Sequence, residues 1–249
     1  MEGKDRVVAI VFAGGSGTRM GNAIPKQFIE VAGCPILAHT LKLFQRHRRI
    51  DVIYMAVHAD YVSYAEELAN RYGIGKLAGV TRGGDSAQAS IYNALALARE
   101  SGEPNDAIVL IHDGVRPYVE DSVIDANVDS VVQHGNAVTY TPCVETLVIS
   151  HDGKAIDALP YRRESYSAQA PQSFRLGDIM AAHDRIRARP EGYKDMIDQA
   201  TICWTLGIPI HLVPGNRGNI KITTPEDVYT FKALMQYRED KRNGRTSVD

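Results

Sequence analysis

Apolar residues along this chain alternate between short continuous runs and segments with helical spacing. Residues 6–12 (RVVAIVF) form a nearly unbroken, β-branched run, the pattern of a strand buried on both faces. Residues 35–45 instead place Ile36, Leu37, Thr40, Leu41 and Phe44 at helical spacing. The alternation continues with a strand at 51–57, a helix at 61–71, a short strand at 78–81 and a helix at 88–99. A strand at 107–111, a helix at 119–132 and a strand at 137–141 follow. Strand and helix alternating at this spacing predict an α/β fold, a mostly parallel sheet with helices on both faces. Right-handed crossovers then line up the strands' C-terminal ends, and the loops after them, along one ligand-binding edge.

The rhythm breaks near residue 143. Residues 144–160 (VETLVISHDGKAIDALP) alternate apolar and polar positions around His151-Asp152-Gly153, a hairpin pattern. Both faces of that alternation carry apolar residues, which suits a β-arm reaching another subunit better than an edge ribbon. Helical spacing returns at 176–187 and 195–206, then a strand at 210–213 and a last helix at 225–238. The polar residues 241–249 read as a flexible tail. No repeat or linker composition interrupts the chain, so one domain is expected over 1–240, with 143–161 as its arm.

Composition narrows the function classes. Twenty-eight Lys+Arg against 30 Asp+Glu give a net charge of -2, without the cationic excess that coats nucleic acid. No apolar run approaches the roughly 20 residues of a membrane helix. Residues 1–6 lead straight into the first strand and its glycine turn, so this end reads as mature and cytoplasmic rather than as a signal peptide. Cys34, Cys143 and Cys203 lie far apart without Cys-x-x-Cys spacing, which points to reduced thiols rather than a disulfide or zinc site.

The densest chemistry follows the first strand: Ala13-Gly14-Gly15-Ser16-Gly17-Thr18-Arg19-Met20-Gly21, then Pro25-Lys26-Gln27. A dinucleotide fingerprint starting at Gly15 would need Gly or Ala where Met20 stands. A P-loop needs Ser or Thr after Gly-Lys, and the three Gly-Lys pairs precede Asp5, Leu77 and Ala155. What remains is a long glycine wrap whose N–H groups can approach phosphate oxygens, ending in the two cations Arg19 and Lys26.

This stretch resembles the signature loop of the small cytidylyltransferases, a branch of the sugar- and polyol-phosphate nucleotidyltransferases. The resemblance continues through Gly83-Gly84-Asp85 with Ser90 and through His112-Asp113-Gly114-Val115-Arg116-Pro117. It resumes in Gln169-Ala170-Pro171-Gln172-Ser173-Phe174 and in Asn219-Ile220-Lys221-Ile222-Thr223-Thr224-Pro225-Glu226-Asp227. Five blocks in family order span nearly the whole chain. The resemblance implies a Rossmann-like nucleotidyltransferase sandwich, a homodimer joined through the arm, and transfer of CMP from CTP to a polyol phosphate.

It also implies roles. Arg19, Lys26 and Lys221 would be the catalytic cations, with Lys221 expected in a strand just before the last helix. Ala13, Gly14, Gly15, Gly17, Gly83, Gly84, Asp85 and Ser90 would hold CTP. Arg116 and Arg162, or its neighbour Arg163, would hold the second substrate, and Asp113 would hold Mg2+ or another divalent cation. Asp113 suits that task because it ends an apolar strand, whereas His112 reads as a structural histidine. The family often carries an Arg inside the Gly83 block, where this chain has Ala87 and Gln88. The attacking phosphomonoester has a second pKa of about 6, so it is already mostly dianionic and needs no general base. Catalysis would come from positioning and cations.

For the acceptor, the methylerythritol-phosphate enzymes usually carry Thr where Ala170 stands and a Thr-Asp-Glu-Ala-like turn where this chain has Ile197-Asp198-Gln199-Ala200. Two hydroxyls that would hold methylerythritol phosphate are therefore missing. The surroundings of Arg19, Arg116 and Arg162 look more like the ribitol-phosphate enzymes, although these usually keep the Thr at 170 as well. D-ribitol 5-phosphate is the first expectation, within cell-wall or capsular polymer synthesis. Methylerythritol 4-phosphate, of isoprenoid synthesis, is the alternative, and a catalytically weak nucleotide-binding protein on the same fold is another.

Overall fold

The computed structural model describes residues 5–14 and 24–245. Its main sheet has seven strands: β1 (Val7–Ala13), β4 (Val52–Val57), β5 (Leu77–Arg82), β6 (Ile108–Asp113), β7 (Asn136–Pro142), β8 (Tyr166–Arg175) and β9 (Leu212–Pro214). The two-residue strands β2 (Glu30–Val31) and β3 (Cys34–Pro35) pair separately. Main-sheet order is β5-β4-β1-β6-β8-β7-β9, and only β8 runs against its neighbours. The sheet is thus mostly parallel, as the alternation of elements predicts.

The continuous apolar runs have the expected reason. Alternate residues of β1 feed two separate cores. Val7, Ala9 and Val11 pack toward α1 (Ile36–Arg46), α2 (Val62–Arg71) and α4 (Asp121–His134). Val8 and Ile10 pack toward α3 (Ala87–Glu100), α5 (Leu176–Arg187) and α6 (Gln199–Thr205). A third cluster joins Val31, Ile36, Val115, Tyr118 and Ile222 to Phe231 of α7 (Pro225–Arg242) and backs the loops at the C-terminal edge of the sheet.

Four expectations need correction. The pattern gives no strand over 166–175, yet β8 occupies it. Its buried positions include Gln172 and Ser173, so no apolar alternation marks it, and Pro171 argues against a strand. The expected hairpin forms its turn, where Asp152 Oδ1 accepts from the N–H groups of Lys154 (2.8 Å) and Ala155 (3.2 Å). Its ladder, however, is the single pair Ile149–Ala158. Lys221 lies in an extended segment outside any strand, tied down when Ile222 N–H donates to Val115 O (2.9 Å). Finally, α7 continues past Arg238 to Arg242, into the stretch read as tail; Asp227 accepts from the N–H groups of Thr223 and Thr224 at its start, both at 2.8 Å.

A buried polar network fastens β8. Ser173 Oγ donates to Asn127 Oδ1 (2.9 Å), Asn127 Nδ2 donates to Thr139 Oγ1 (2.9 Å), and Thr139 Oγ1 donates to Pro171 O (2.6 Å). Asn127→Ala strands the hydroxyl of Ser173, and a buried group without its partner costs about 1–3 kcal/mol. Urea unfolding is expected to show a loss of at least about 1 kcal/mol; an unchanged midpoint would show that the network does not hold β8.

Candidate active site

The carboxylate of Asp113, at the C-terminal end of β6, is the centre of the site. Its side chain is only 9% exposed, with both oxygens engaged. Lys221 Nζ meets Oδ1 at 2.6 Å, and Arg116 Nε donates to Oδ2 at 2.9 Å. Arg116 Nη1 also donates to Asn219 O at 2.8 Å, linking the loop after β6 to the segment before α7. Burial by itself would raise the Asp113 pKa, but the charges and hydrogen bonds of Lys221 and Arg116 outweigh it and hold the carboxyl below its ordinary value. His112 is structural. Its Nε2 meets Arg116 O at 3.0 Å, and burial lowers its pKa to about 4, so it stays neutral at pH 7.

Around this ion cluster opens a cleft. Asp113, Arg116 and Lys221 form one wall, and Gln88, Gln169, Gln172, Ile197, Asp198 and Gln199 the other. The reversal of β8 explains the second wall, because an antiparallel strand brings its N-terminal half to the edge where parallel strands present their C-terminal ends. Two clamps then shape it. Gln172 Nε2 donates to Asp198 Oδ2 (2.9 Å) while its Oε1 accepts from Ala200 N (3.0 Å). Gln199 Nε2 donates to Gln88 Oε1 (2.7 Å), and Gln88 Nε2 donates to Ile197 O (3.0 Å).

The glycine segments meet beside this cleft. A Cβ on Gly14 would come within 2.8 Å of Ser90 Oγ, and one on Gly83 within 2.9 Å, so the close approach requires glycine at both positions. Ser90 Oγ accepts from Gly84 N (3.0 Å) and donates to Ser86 O (2.9 Å), which commits its hydroxyl to holding the loop. Ser86, not Asp85, caps α3, accepting from Ala89 N at 3.1 Å; Asp85 is exposed. Gln27 Nε2 donates to Ala13 O (2.8 Å), so the turn that carries Lys26 is anchored at the end of β1.

Of the residues named from the sequence, the structure therefore brings Asp113, Arg116 and Lys221 into one cluster and sets Gly14, Gly83, Gly84 and Ser90 around one contact. Gly15, Gly17 and Arg19 lie outside the described residues. Arg162 and Arg163 are not brought to the cleft of their own chain. They sit in an exposed turn at the base of the arm, where Arg163 pairs with Glu164 (3.6 Å) and lies over the Tyr161 ring (5.8 Å).

Sequence reasoning gave no role to Gln88, Gln172, Asp198, Gln199 and Asn219, although all fall in or beside the quoted blocks. Asn219 is fully buried and donates to Ala170 O (2.6 Å). A signal existed: clustered polar side chains beside motifs at a strand edge, where bulk core would be apolar.

An open α/β sheet with a cation-bracketed carboxylate and a glycine cradle at its C-terminal edge is the framework of a nucleotidyltransferase. Residues 7–237 match the IspD family, 2-C-methyl-D-erythritol 4-phosphate cytidylyltransferase, and the chain belongs to that family. It is 40% identical over 94% of its length, and 97% of the relative's, to a ribitol-5-phosphate cytidylyltransferase of Streptococcus agalactiae serotype V. It is 36% identical over 96% of its length, and 99% of the relative's, to a 2-C-methyl-D-erythritol 4-phosphate cytidylyltransferase of Syntrophus aciditrophicus. Among solved structures, the 4-diphosphocytidyl-2C-methyl-D-erythritol synthase of Anaerococcus prevotii superposes with a TM-score of 0.79 at 27% identity, covering 94% of this chain and 97% of that one.

The ion cluster makes a pH prediction. A depressed carboxyl contributes stability that is complete above its unfolded pKa, near 3.8, and is lost as pH falls through its lower folded value. Lys221→Met weakens the depression, so acid unfolding followed by circular dichroism is expected to begin at higher pH than in the wild type. Coincident acid transitions would show that Lys221 does not stabilise the ionised form.

Proposed function

We propose that this enzyme transfers CMP from CTP to a pentitol 5-phosphate, D-ribitol 5-phosphate first, releasing pyrophosphate. The observation that carries the reading is the two-sided cleft. A wall with two cations on one carboxylate suits phosphates, and a wall rich in amides, its one carboxylate Asp198 already held by Gln172 and Thr201, suits an uncharged hydroxylated chain. The ribitol-phosphate relatives at 40% identity support the choice. The family match supports methylerythritol 4-phosphate as the second acceptor to test.

An oxygen of the acceptor's phosphate attacks the α-phosphorus of CTP as the bond to the β-phosphate oxygen breaks. The electron pair leaves with pyrophosphate, and no proton has to move. Lys221 neutralises developing charge and Arg116 contacts the second substrate, with Arg19 and Lys26 serving the nucleotide phosphates. The loop of Gly83, Gly84 and Asp85, braced by Ser90, receives the base, and the wrap of Ala13, Gly14, Gly15 and Gly17 receives the phosphates of CTP.

Asp113 fits a divalent cation. Each oxygen holds one cation and keeps further lone-pair capacity, and no cluster of three ligating side chains occurs among the described residues. One carboxylate completed by water and substrate phosphates is the usual setting of Mg2+. When bound, the ion would offset the repulsion between the two phosphorylated substrates.

The second subunit enters through the arm. Val144, Val148, Ile156 and Leu159 are more than half exposed, an apolar surface that pairing with a second copy would cover. In a two-fold dimer Arg162 would then serve the partner's cleft rather than its own.

Pyrophosphate release from four nucleoside triphosphates against several polyol phosphates tests the reaction. Turnover with CTP and ribitol 5-phosphate is expected; activity with methylerythritol 4-phosphate alone would replace the acceptor, and activity with UTP would overturn the base pocket. Lys26→Ala should lose at least about two orders of magnitude in kcat, the scale of removing one transition-state stabiliser. Near-normal kcat would remove Lys26 from the machinery.

Mixing inactive Arg162→Ala with inactive Lys221→Met tests the arm. Activity should return, because hybrid dimers contain one cleft with both side chains. No recovery, with hybrids demonstrated, would place Arg162 in its own cleft.

A further inference from the structure

The amides of the second wall are oriented by groups that can act in only one way. Ile197 O is a backbone carbonyl and only accepts, so the end of Gln88 that meets it is the Nε2 amine. That turns Gln88 Oε1 toward Gln199, which must present its own amine. With the amine committed, Gln199 has its Oε1 left to offer. None of the described residues donates to that oxygen, and it is not among the side-chain atoms sealed from solvent without a partner. Gln199 lines the cleft although only 3% exposed, so the relay ends at the cleft's edge in an acceptor that no described residue occupies.

The support of this acceptor is rigid. Ala200 N can only donate, which fixes Gln172 with its amine toward Asp198 Oδ2. Asp198 Oδ1 accepts from both Thr201 N and Thr201 Oγ1 at 2.8 Å. The turn carrying Gln199 is therefore pinned from β8 on one side and from α3 on the other. Such support holds a recognition group within the tolerance that hydrogen-bond selectivity needs.

We propose that Gln199 Oε1 accepts a hydrogen bond from a hydroxyl on the carbon chain of the second substrate, and that Gln88 is the positioning residue setting its polarity. The proposal rests on the polyol-phosphate reading above and deepens it. A neutral acceptor distinguishes a chain bearing a hydroxyl at one carbon from a chain lacking it. A site built to bond a hydroxyl rejects the deoxy analogue strongly, because the site's polar group is then left unpaired. Gln88 ties this selectivity to α3, the helix that follows the nucleotide loop.

The test uses the full-length wild type with CTP, ribitol 5-phosphate and its single-deoxy analogues, read by pyrophosphate release. One analogue is expected to lose at least about tenfold in kcat/KM, while the KM for CTP stays within about twofold. Gln199→Leu should impose the same loss on ribitol 5-phosphate and then treat it and that analogue alike, a non-additivity that a purely structural role would not produce. Gln88→Leu should give a smaller loss on the same hydroxyl. A wild type that turns over ribitol 5-phosphate but discriminates against no deoxy analogue overturns the proposal, and this outcome needs no variant to fold. A folded Gln199→Leu with unchanged selectivity overturns it as well. Absence of turnover with every polyol phosphate removes the acceptor reading itself, a result distinguishable from both.

Discussion

A carboxylate taken out of water survives as an ion only where its charge is met at close range. Asp113 is met from two directions, and much of the upper edge of the molecule follows from that. Arg116, three residues on, curls the loop after β6 back over the strand end and reaches across to Asn219 O. Lys221 comes from more than 100 residues further along and pins the approach to α7. The apolar cluster of Val115, Ile222 and Phe231 is the backing of this ionic contact. The two cations are not equivalent. Arg116 is 13% exposed and has a second fixed partner, whereas Lys221 is 43% exposed and holds the carboxylate through one atom. Arg116 is the more firmly held of the two; Lys221 is the one more open to an incoming phosphate.

The opposite wall obeys a different constraint. Successive side chains of β8 point to opposite faces of the sheet, as in any strand. Gln172 meets the turn before α6, and Ser173 meets Asn127 of α4. Both are buried polar groups that need partners, and the partners they find fix the cleft wall on one face and the strand's seat on the other. Recognition surface and strand anchoring thus come from one requirement, the pairing of buried polar atoms.

That requirement also explains what the sequence does and does not disclose. Strands such as β1 and β6 are buried on both faces by apolar side chains, and a local pattern suffices to find them. Asp113 is legible because it ends such a run, and the start of α7 because Thr224, Pro225 and Asp227 form a local helix-entry pattern. The strand β8 is hidden because its interior residues are polar and satisfied by Asn127, Asp198 and Ala200, none of them near in sequence. The Gln88–Gln199 contact joins positions 111 residues apart, and no periodicity encodes a pair of that kind. The arm misleads for the opposite reason: its alternation is genuine, but a ladder needs covering surface, and within one chain only Ile149 and Ala158 pair.

The near balance of charge over the whole chain takes on a sharper meaning in the cleft. Two cations face one carboxylate, a local excess of one positive charge. A single phosphomonoester brings about -1.5 to -2, and a triphosphate more, so this wall cannot neutralise both substrates of the proposed reaction. On the proposed reading the remaining positive charge would come from Arg19 and Lys26, from an arm arginine of a second subunit and from a divalent ion on Asp113. A cleft that carried all this charge beforehand would place like charges against one another in a low-dielectric space. On that reading the charges come from separate segments of the chain, and the amides of Gln88 and Gln199 can discriminate among acceptors without adding charge of their own.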